Sequence, residues 1–229
     1  MNLFIYVEGQ EEEMFVNRVL RNHLSQFGVV LQKPILAATS FRVEDAGSAD
    51  VTVGGVTNYA SIRADIVNLY EQGEILETDA LTTFIDLYAL PLDFPGQNEA
   101  NAQSLKSVAK AARIEQAWKA DINRPNFFPY IQVHEFEALI LTRPSVLEGY
   151  YPESRNGIRR LGQDCSSFSS PEEINETRET SPSHRILHWL PSYQKIDGFR
   201  HLQEIGVAEL KTHCQHFRAW LDQCENFPR

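Results

Sequence analysis

Two groups of carboxylates stand at the ends of stretches that read as buried strands: Glu8 and Glu12 after an apolar run at 3–7, and Asp86 within an apolar run at 80–90, near its C-terminal end, with Asp93 after it. Carboxylates gathered in one place repel one another unless a cation lies among them, and a ligand set made only of oxygens suits Mg2+ or Mn2+. The E-x-x-x-E spacing puts Glu8 at a strand end and Glu12 about one helical turn further on, so both can face one ion. The bland alternative is that Glu11, Glu12 and Glu13 merely favour the positive end of a helix dipole. Glu8 argues against it, because a carboxylate directly after a buried strand is itself partly buried and needs a partner.

A further acidic pair lies in HEFEALI at 134–140. Glu135 and Glu137 face opposite ways on a strand and about 200° apart on a helix, so only one of the two is expected to reach an ion. His134 before this apolar run is better suited to a cap or a core hydrogen bond than to a metal, and the string is not the H-E-x-x-H zinc motif. Among basic residues, Arg63 and Arg185 are the candidate phosphate binders. Arg185 follows Ser181, Pro182 and Ser183, where a helix can start, and a guanidinium beside helix-terminal N–H groups suits a phosphate. The competing reading makes Arg185 a surface residue behind a capping serine.

The elements that must position these groups alternate. Residues 3–7 read as a strand, and Phe15, Val16, Val19, Leu20 and Leu24 recur at helical spacing after it. Residues 33–43 hold another strand or two, 45–55 a glycine-containing hairpin or loop near the site, and 59–72 a helix capped by Thr57 or Asn58. A central strand carries Asp86, a helix spans 101–121, and a fourth strand covers 126–133. This order predicts an α/β fold with a mostly parallel sheet flanked by helices, whose ligands collect beyond the C-terminal strand ends. After Pro152 the character changes: a serine-rich stretch at 165–183 reads as an exposed loop, and an amphipathic helix covers 207–221. The expected organisation is therefore a domain at 1–150 with a loop-rich, helical C-terminal extension at 151–229 packed on it.

Three cysteines without a C-x-x-C pair argue against a disulfide framework and a cysteine zinc site, and fit a cytoplasmic location. No stretch reads as a membrane span or signal peptide. A net charge of -10 gives no general attraction to nucleic-acid phosphates, so such contacts need a local basic patch, metal ions or a partner chain.

The strings VEGQEEE at 7–13, DLYALPLDFPG at 86–96 and HEFEALI, with GGVTNYASIR at 54–63 and SPSHRI at 181–186 between and after them, resemble the motifs of the DUF4276 family, which is related to the Toprim domains of overcoming-lysogenization-defect (OLD) nucleases, topoisomerases and primases. The resemblance implies a Toprim-like fold with Glu8 and Asp86 as catalytic residues. Metal ligands would come from Glu8, Glu12, Asp86, Asp93, Glu135 and Glu137. Tyr88 stands where the Toprim D-x-D motif has its second aspartate, which leaves the missing carboxylate to Asp93, Glu135 or Glu137. The implied function is a Mg2+- or Mn2+-dependent nuclease cutting DNA or RNA beside an ATPase in prokaryotic defence against phage; a homodimer is left open. The competing reading, to which Tyr88 lends weight, is a non-catalytic Toprim-fold module that regulates an ATPase.

Overall fold

The computed structural model describes residues 2–37, 58–174 and 178–227. The first apolar run forms β1 (Asn2–Val7), which feeds a continuous helical rod: α1 (Gln10–Phe15), a π-helical stretch (Val16–Leu20) and α2 (Arg21–Ser25). Two short strands follow, β2 (Val30–Leu31) and β3 (Ile35–Leu36), then α3 (Tyr59–Glu71) and the central strand β4 (Ala80–Asp86). Next come α4 (Gln97–Ala102), α5 (Ser107–Ile122), β5 (Phe127–Phe128) and β6 (Ile131–Gln132). The remainder is helical: α6 (Arg155–Cys165), α7 (Pro182–Trp189), α8 (Gly198–Ile205), α9 (Val207–His213) and α10 (Gln215–Glu225), joined by 3-10 turns.

The strands make one sheet of order β2-β1-β4-β5, with β3 continuing along β1 and β6 continuing along β4, and all these pairings are parallel. Side chains of a strand alternate between faces, and β1 and β4 are apolar on both. Leu3, Ile5, Val7, Ala80 and Phe84 join one core with the first helical rod and the C-terminal helices, while Tyr6, Leu81 and Ile85 join a second core with α3 and α5. Helices thus cover both faces of the sheet, as the alternating order predicts. No helix among the described residues is long and apolar enough to cross a membrane.

Several elements differ from expectation for local reasons. The expected strand at 126–133 is split where Pro129 can donate no ladder hydrogen bond; there Thr83 Oγ1 bridges instead, donating to the Tyr130 carbonyl (2.7 Å) and accepting its N–H (2.9 Å). The expected helix at 101–121 breaks into α4 and α5, with Ser104 and Ser107 in the left-handed region at φ 53° and 46°. The hairpin or loop at 45–55 lies outside the described residues.

The largest correction concerns the serine-rich stretch. Within it Pro171–Glu173 forms a 3-10 turn started by Ser170, and Glu172 and Ile174 are both about fully buried, at 1% exposure. The Glu172 carboxylate accepts the backbone N–H groups of His216 (3.0 Å) and Phe217 (2.9 Å), opening α10. Such charge-assisted bonds satisfy helix-terminal donors and anchor the turn; the anchor is polar, so a count of apolar residues misses it.

On the sheet face under α10, Trp220 stacks on Tyr130 at 4.4 Å between ring centroids, and its indole Nε1 donates to Thr82 Oγ1 (2.8 Å) in the middle of β4. Trp220→Ala removes this stack and leaves the buried Thr82 hydroxyl without its indole donor. Urea denaturation should show a loss of about 3–5 kcal/mol with the m-value retained; a loss under about 1 kcal/mol would mean that α10 contributes little to the fold.

Candidate functional site

The β1–β4 register, with Val7 opposite Phe84, carries Glu8 alongside the end of β4. There the backbone N–H of Asp86 donates to Glu8 Oε2 (3.2 Å). Gly9 then turns the chain into α1, and Glu12 reaches back so that its Oε2 accepts the Gly9 N–H (3.0 Å). Glu12 therefore caps its own helix while presenting its carboxylate beside Glu8. A Cβ at Gly9 would lie 3.2 Å from that oxygen, so the turn leaves little room for a side chain.

Beside β4, β6 delivers the 134–140 segment. Asp86 Oδ2 accepts the Phe136 N–H (3.1 Å), whereas Asp86 Oδ1 is buried with no hydrogen-bond partner. The 3-10 turn Phe136–Thr142 buries Glu137, and Lys195 Nζ lies 3.0 Å from Glu137 Oε1, at ion-pair distance but off the hydrogen-bonding direction. Glu11 joins the group from α1, with Oε1 buried and unpaired, as is the Tyr193 hydroxyl.

Burial and mutual repulsion push every one of these carboxyls up. Glu8 rises to about 7 through burial and then Glu12; Glu11 rises to about 8 through burial and then Glu137 and Glu12. Glu12 is raised by burial against the bond from Gly9, and Asp86 well above the usual range by burial and then Glu8, Glu12 and Glu137. Glu137 is raised by burial, with Lys195 opposing. Burial pulls Lys195 down, but Glu137, Glu135 and Glu11 outweigh it and hold the ammonium charged.

Such a donor set fits a hard divalent ion in kind, since every donor is a carboxylate oxygen and two of them, on Asp86 and Glu11, are buried and unpaired. Among the described residues, no three His, Cys, Asp or Glu side chains already stand as a ligand set. Holding an ion would require the carboxylates to draw together.

The other expected residues are engaged elsewhere. Both Asp93 oxygens accept the Tyr59 N–H at the start of α3 (3.3 Å each). Glu135 Oε1 accepts the Ser183 N–H (2.5 Å) in the first turn of α7. Arg63 pairs with Asp121 (2.8 Å). Arg185 Nε donates to the Thr180 carbonyl (2.8 Å), with its guanidinium over the Phe168 ring. Tyr88, in the second acid's place, is held by His134: its hydroxyl lies 3.1 Å from Nδ1. His134 Nε2 faces the Glu172 carbonyl (3.0 Å), which only accepts, so Nε2 carries the proton and Nδ1 accepts from Tyr88. Burial holds His134 down at about 4, neutral at pH 7. Glu11, Lys195 and Tyr193 were not among the expected site residues. The helix-dipole reading of the glutamate run hides Glu11, although Glu8, Glu11 and Glu12 share the spacing of one turn; Lys195 and Tyr193 arrive from the far end of the chain with no local pattern.

These shifts fix a pH dependence. Without metal, the folded chain holds protons on Glu8 and Glu11 that the unfolded chain releases near 4.5. The stability they contribute is full below that value and lost as pH rises through about 7 to 8. In chelator, unfolding free energy should therefore fall between about pH 5 and pH 8, less steeply in Glu8→Gln, and Mg2+ should flatten the decline. Constant or rising stability across that window would contradict the electrostatics described.

Similar solved structures are two of the C-terminal region of the Xanthomonas campestris pv. campestris OLD protein. One was phased with platinum (16% identity, 96% of this chain and 93% of that chain covered, TM-score 0.38), the other with iodine (14% identity, 96% and 95% covered, TM-score 0.36). No curated protein matches. The model of the family described as "Domain of unknown function (DUF4276)" matches residues 7–225, nearly the whole chain including all of the acidic centre, and the chain belongs to that family.

Proposed function

We propose that the acidic centre binds Mg2+ or Mn2+ and hydrolyses phosphodiester bonds of DNA or RNA, as a Toprim-like nuclease. The observation that carries this reading is the gathering of Glu8, Glu11, Glu12, Asp86 and Glu137 around a single ammonium, Lys195, with Asp86 Oδ1 buried and unpaired. Among the described residues five carboxyls face one ammonium, and a divalent ion would displace the protons that they hold in its absence. A bound ion supplies polarisation of the phosphoryl oxygens and a more acidic water.

The chain's own residues have distinct parts in this reading. Asp86, fixed through Oδ2 by the Phe136 N–H, offers Oδ1 to the ion. Glu8, hydrogen-bonded by the Asp86 N–H at the end of β4, takes or returns a proton at the attacking water. Glu12 and Glu137 complete the carboxylate set, Glu137 standing in for the acid that Tyr88 does not supply. Lys195 offers its ammonium to the phosphate. With a net charge of -10 the chain is a poor phosphate binder overall, which supports action beside an ATPase chain that recruits the nucleic acid, the arrangement implied by its resemblance to defence nucleases.

A second reading, a non-catalytic module regulating such an ATPase, draws on Tyr88 occupied by His134, Glu12 occupied in capping, and the want of a ready ligand set among the described residues. Two measurements separate the readings. Mn2+ should raise the melting temperature of the wild type but much less that of Glu8→Gln. Glu8→Gln and Asp86→Asn should each cut cleavage of DNA or RNA, measured with the partner ATPase present, by at least about a hundredfold while circular dichroism stays unchanged. Wild-type activity in either variant would sink the nuclease reading, and full biological effect in both would favour the module.

A further inference from the structure

An open cleft lies away from the carboxylates, and both of its walls begin at them. One wall is the first helical rod. Its first turn carries Glu11 and Glu12, and seven residues on from Glu11, about 10 Å along the axis, Arg18 lines the cleft with Asn17 and Asn22. A smaller hollow lined by Glu13, Met14, Asn17 and Arg18 continues it back toward the acidic turn. The facing wall is α8, which starts directly behind Lys195: a Cβ at Gly198 would come within 2.9 Å of the Phe136 ring, whose residue holds Asp86 through its N–H. Phe199, Arg200 and Gln203 of α8 face the rod, and Tyr150 closes the far end, 41% exposed. The cleft measures about 880 Å³.

Its chemistry is that of a nucleic-acid strand track. Arg18 is exposed and has no charged or hydrogen-bonded partner for its guanidinium among the described residues; Arg200 has Asp197 at 3.0 Å but is 58% exposed. Asn17 Oδ1 already accepts from Arg21 (2.8 Å) and Asn22 Nδ2 donates to the Arg18 carbonyl (3.4 Å), which leaves the Asn17 amide N–H groups, the Asn22 side-chain carbonyl and Gln203 for a ligand, without commitment to one base. Tyr150 offers ring surface for base stacking, while the Arg200 guanidinium lies over the Phe199 ring at 5.7 Å from its centroid. Glu204 is the one acid lining the main cleft, with Glu13 in the smaller hollow; burial and the nearby Glu204 push the Tyr150 hydroxyl up. Behind Tyr150 lies His201, wholly buried with neither ring nitrogen paired, its ring 4.5 Å from that of Tyr150.

Resting on the nuclease reading, we infer that the cleft between the first helical rod and α8 guides a single-stranded segment of nucleic acid into the acidic centre, with Arg18 and Arg200 on its phosphates and Tyr150 under its bases. A duplex keeps its bases inside and presents no ring to Tyr150, so the strand is the better occupant.

Fluorescence anisotropy tests this on the full chain in chelator at about 50 mM KCl, with labelled DNA and RNA strands of one sequence and a blunt duplex of the same length. Arg18→Gln with Arg200→Gln should weaken strand binding roughly tenfold and flatten the dependence of log affinity on log salt by about 1.4, the share of two phosphate contacts on a single strand. The double Lys variant should retain most of the affinity. The DNA and RNA arms show which strand is preferred. Wild-type affinity and salt slope in the Gln variant, no strand binding by the wild type, or tighter binding of the duplex than of the strand would each overturn the assignment. Its fate separates from that of hydrolysis: a wild type that binds through these arginines but cleaves nothing keeps the track and loses the nuclease. A Gln variant that binds and cleaves normally while Glu8→Gln does not cleave keeps the nuclease and loses the track.

Discussion

Glu8 and Asp86 meet because β1 and β4 pair in parallel with Val7 opposite Phe84, and everything at the site depends on that register. A slip of one residue would turn every side chain of β1 to the other face, burying a different set and carrying Glu8 away from the Asp86 N–H. The register is held by apolar side chains on both faces of both strands, so the sheet's two cores together resist the repulsion concentrated at its C-terminal edge. Carboxylates raised by burial are a destabilising feature of the fold taken alone. The surrounding packing tolerates them, which is the pattern expected where function rather than stability selects the residues.

The C-terminal helices complete this arrangement as well as covering it. Trp220 closes the sheet face over Thr82, Glu172 fastens the serine-rich stretch to the start of α10, and the turn before α8 delivers Lys195 to Glu137. Tyr88, His134 and the Glu172 carbonyl form a hydrogen-bonded line from the end of β4 to that same stretch. The carboxylates come from the first 137 residues, whereas the ammonium facing them is contributed by residue 195.

How much of this was legible in the sequence follows from the range of the interactions. Glu8 and Asp86 could be read because apolar β-branched runs end at them, and a strand end is a local signal. Helices on both faces of a parallel sheet were legible from the alternation of patterns. Asp93 could not be told from a ligand, because its partner, the Tyr59 N–H, lies 34 residues earlier in the chain. The engagement of Arg63 by Asp121 and of Glu135 by Ser183 is equally non-local. Composition failed at 171–174, where only a few apolar side chains, Pro171 and Ile174, are buried and the carboxylate of Glu172 fastens the segment to α10 through backbone N–H groups. Tyr88 read as a lost acid; the structure adds that its hydroxyl has a partner of its own in His134.

Cys165, Cys214 and Cys224 are all buried, and burial pushes their thiols up, to about 11, to about 12 and well above the ordinary value respectively. Only the thiolate reacts with disulfides and alkylating agents, so in the folded chain the raised thiols react slowly near neutral pH, and Cys214 and Cys224, with no exposed surface, are shielded as well, whereas Cys165 borders a surface hollow. All three sit in the helical layer after residue 150. Cys214 and Cys224 thereby become a built-in clock: the rate at which a thiol reagent consumes them reports the opening of that layer, without any probe being introduced.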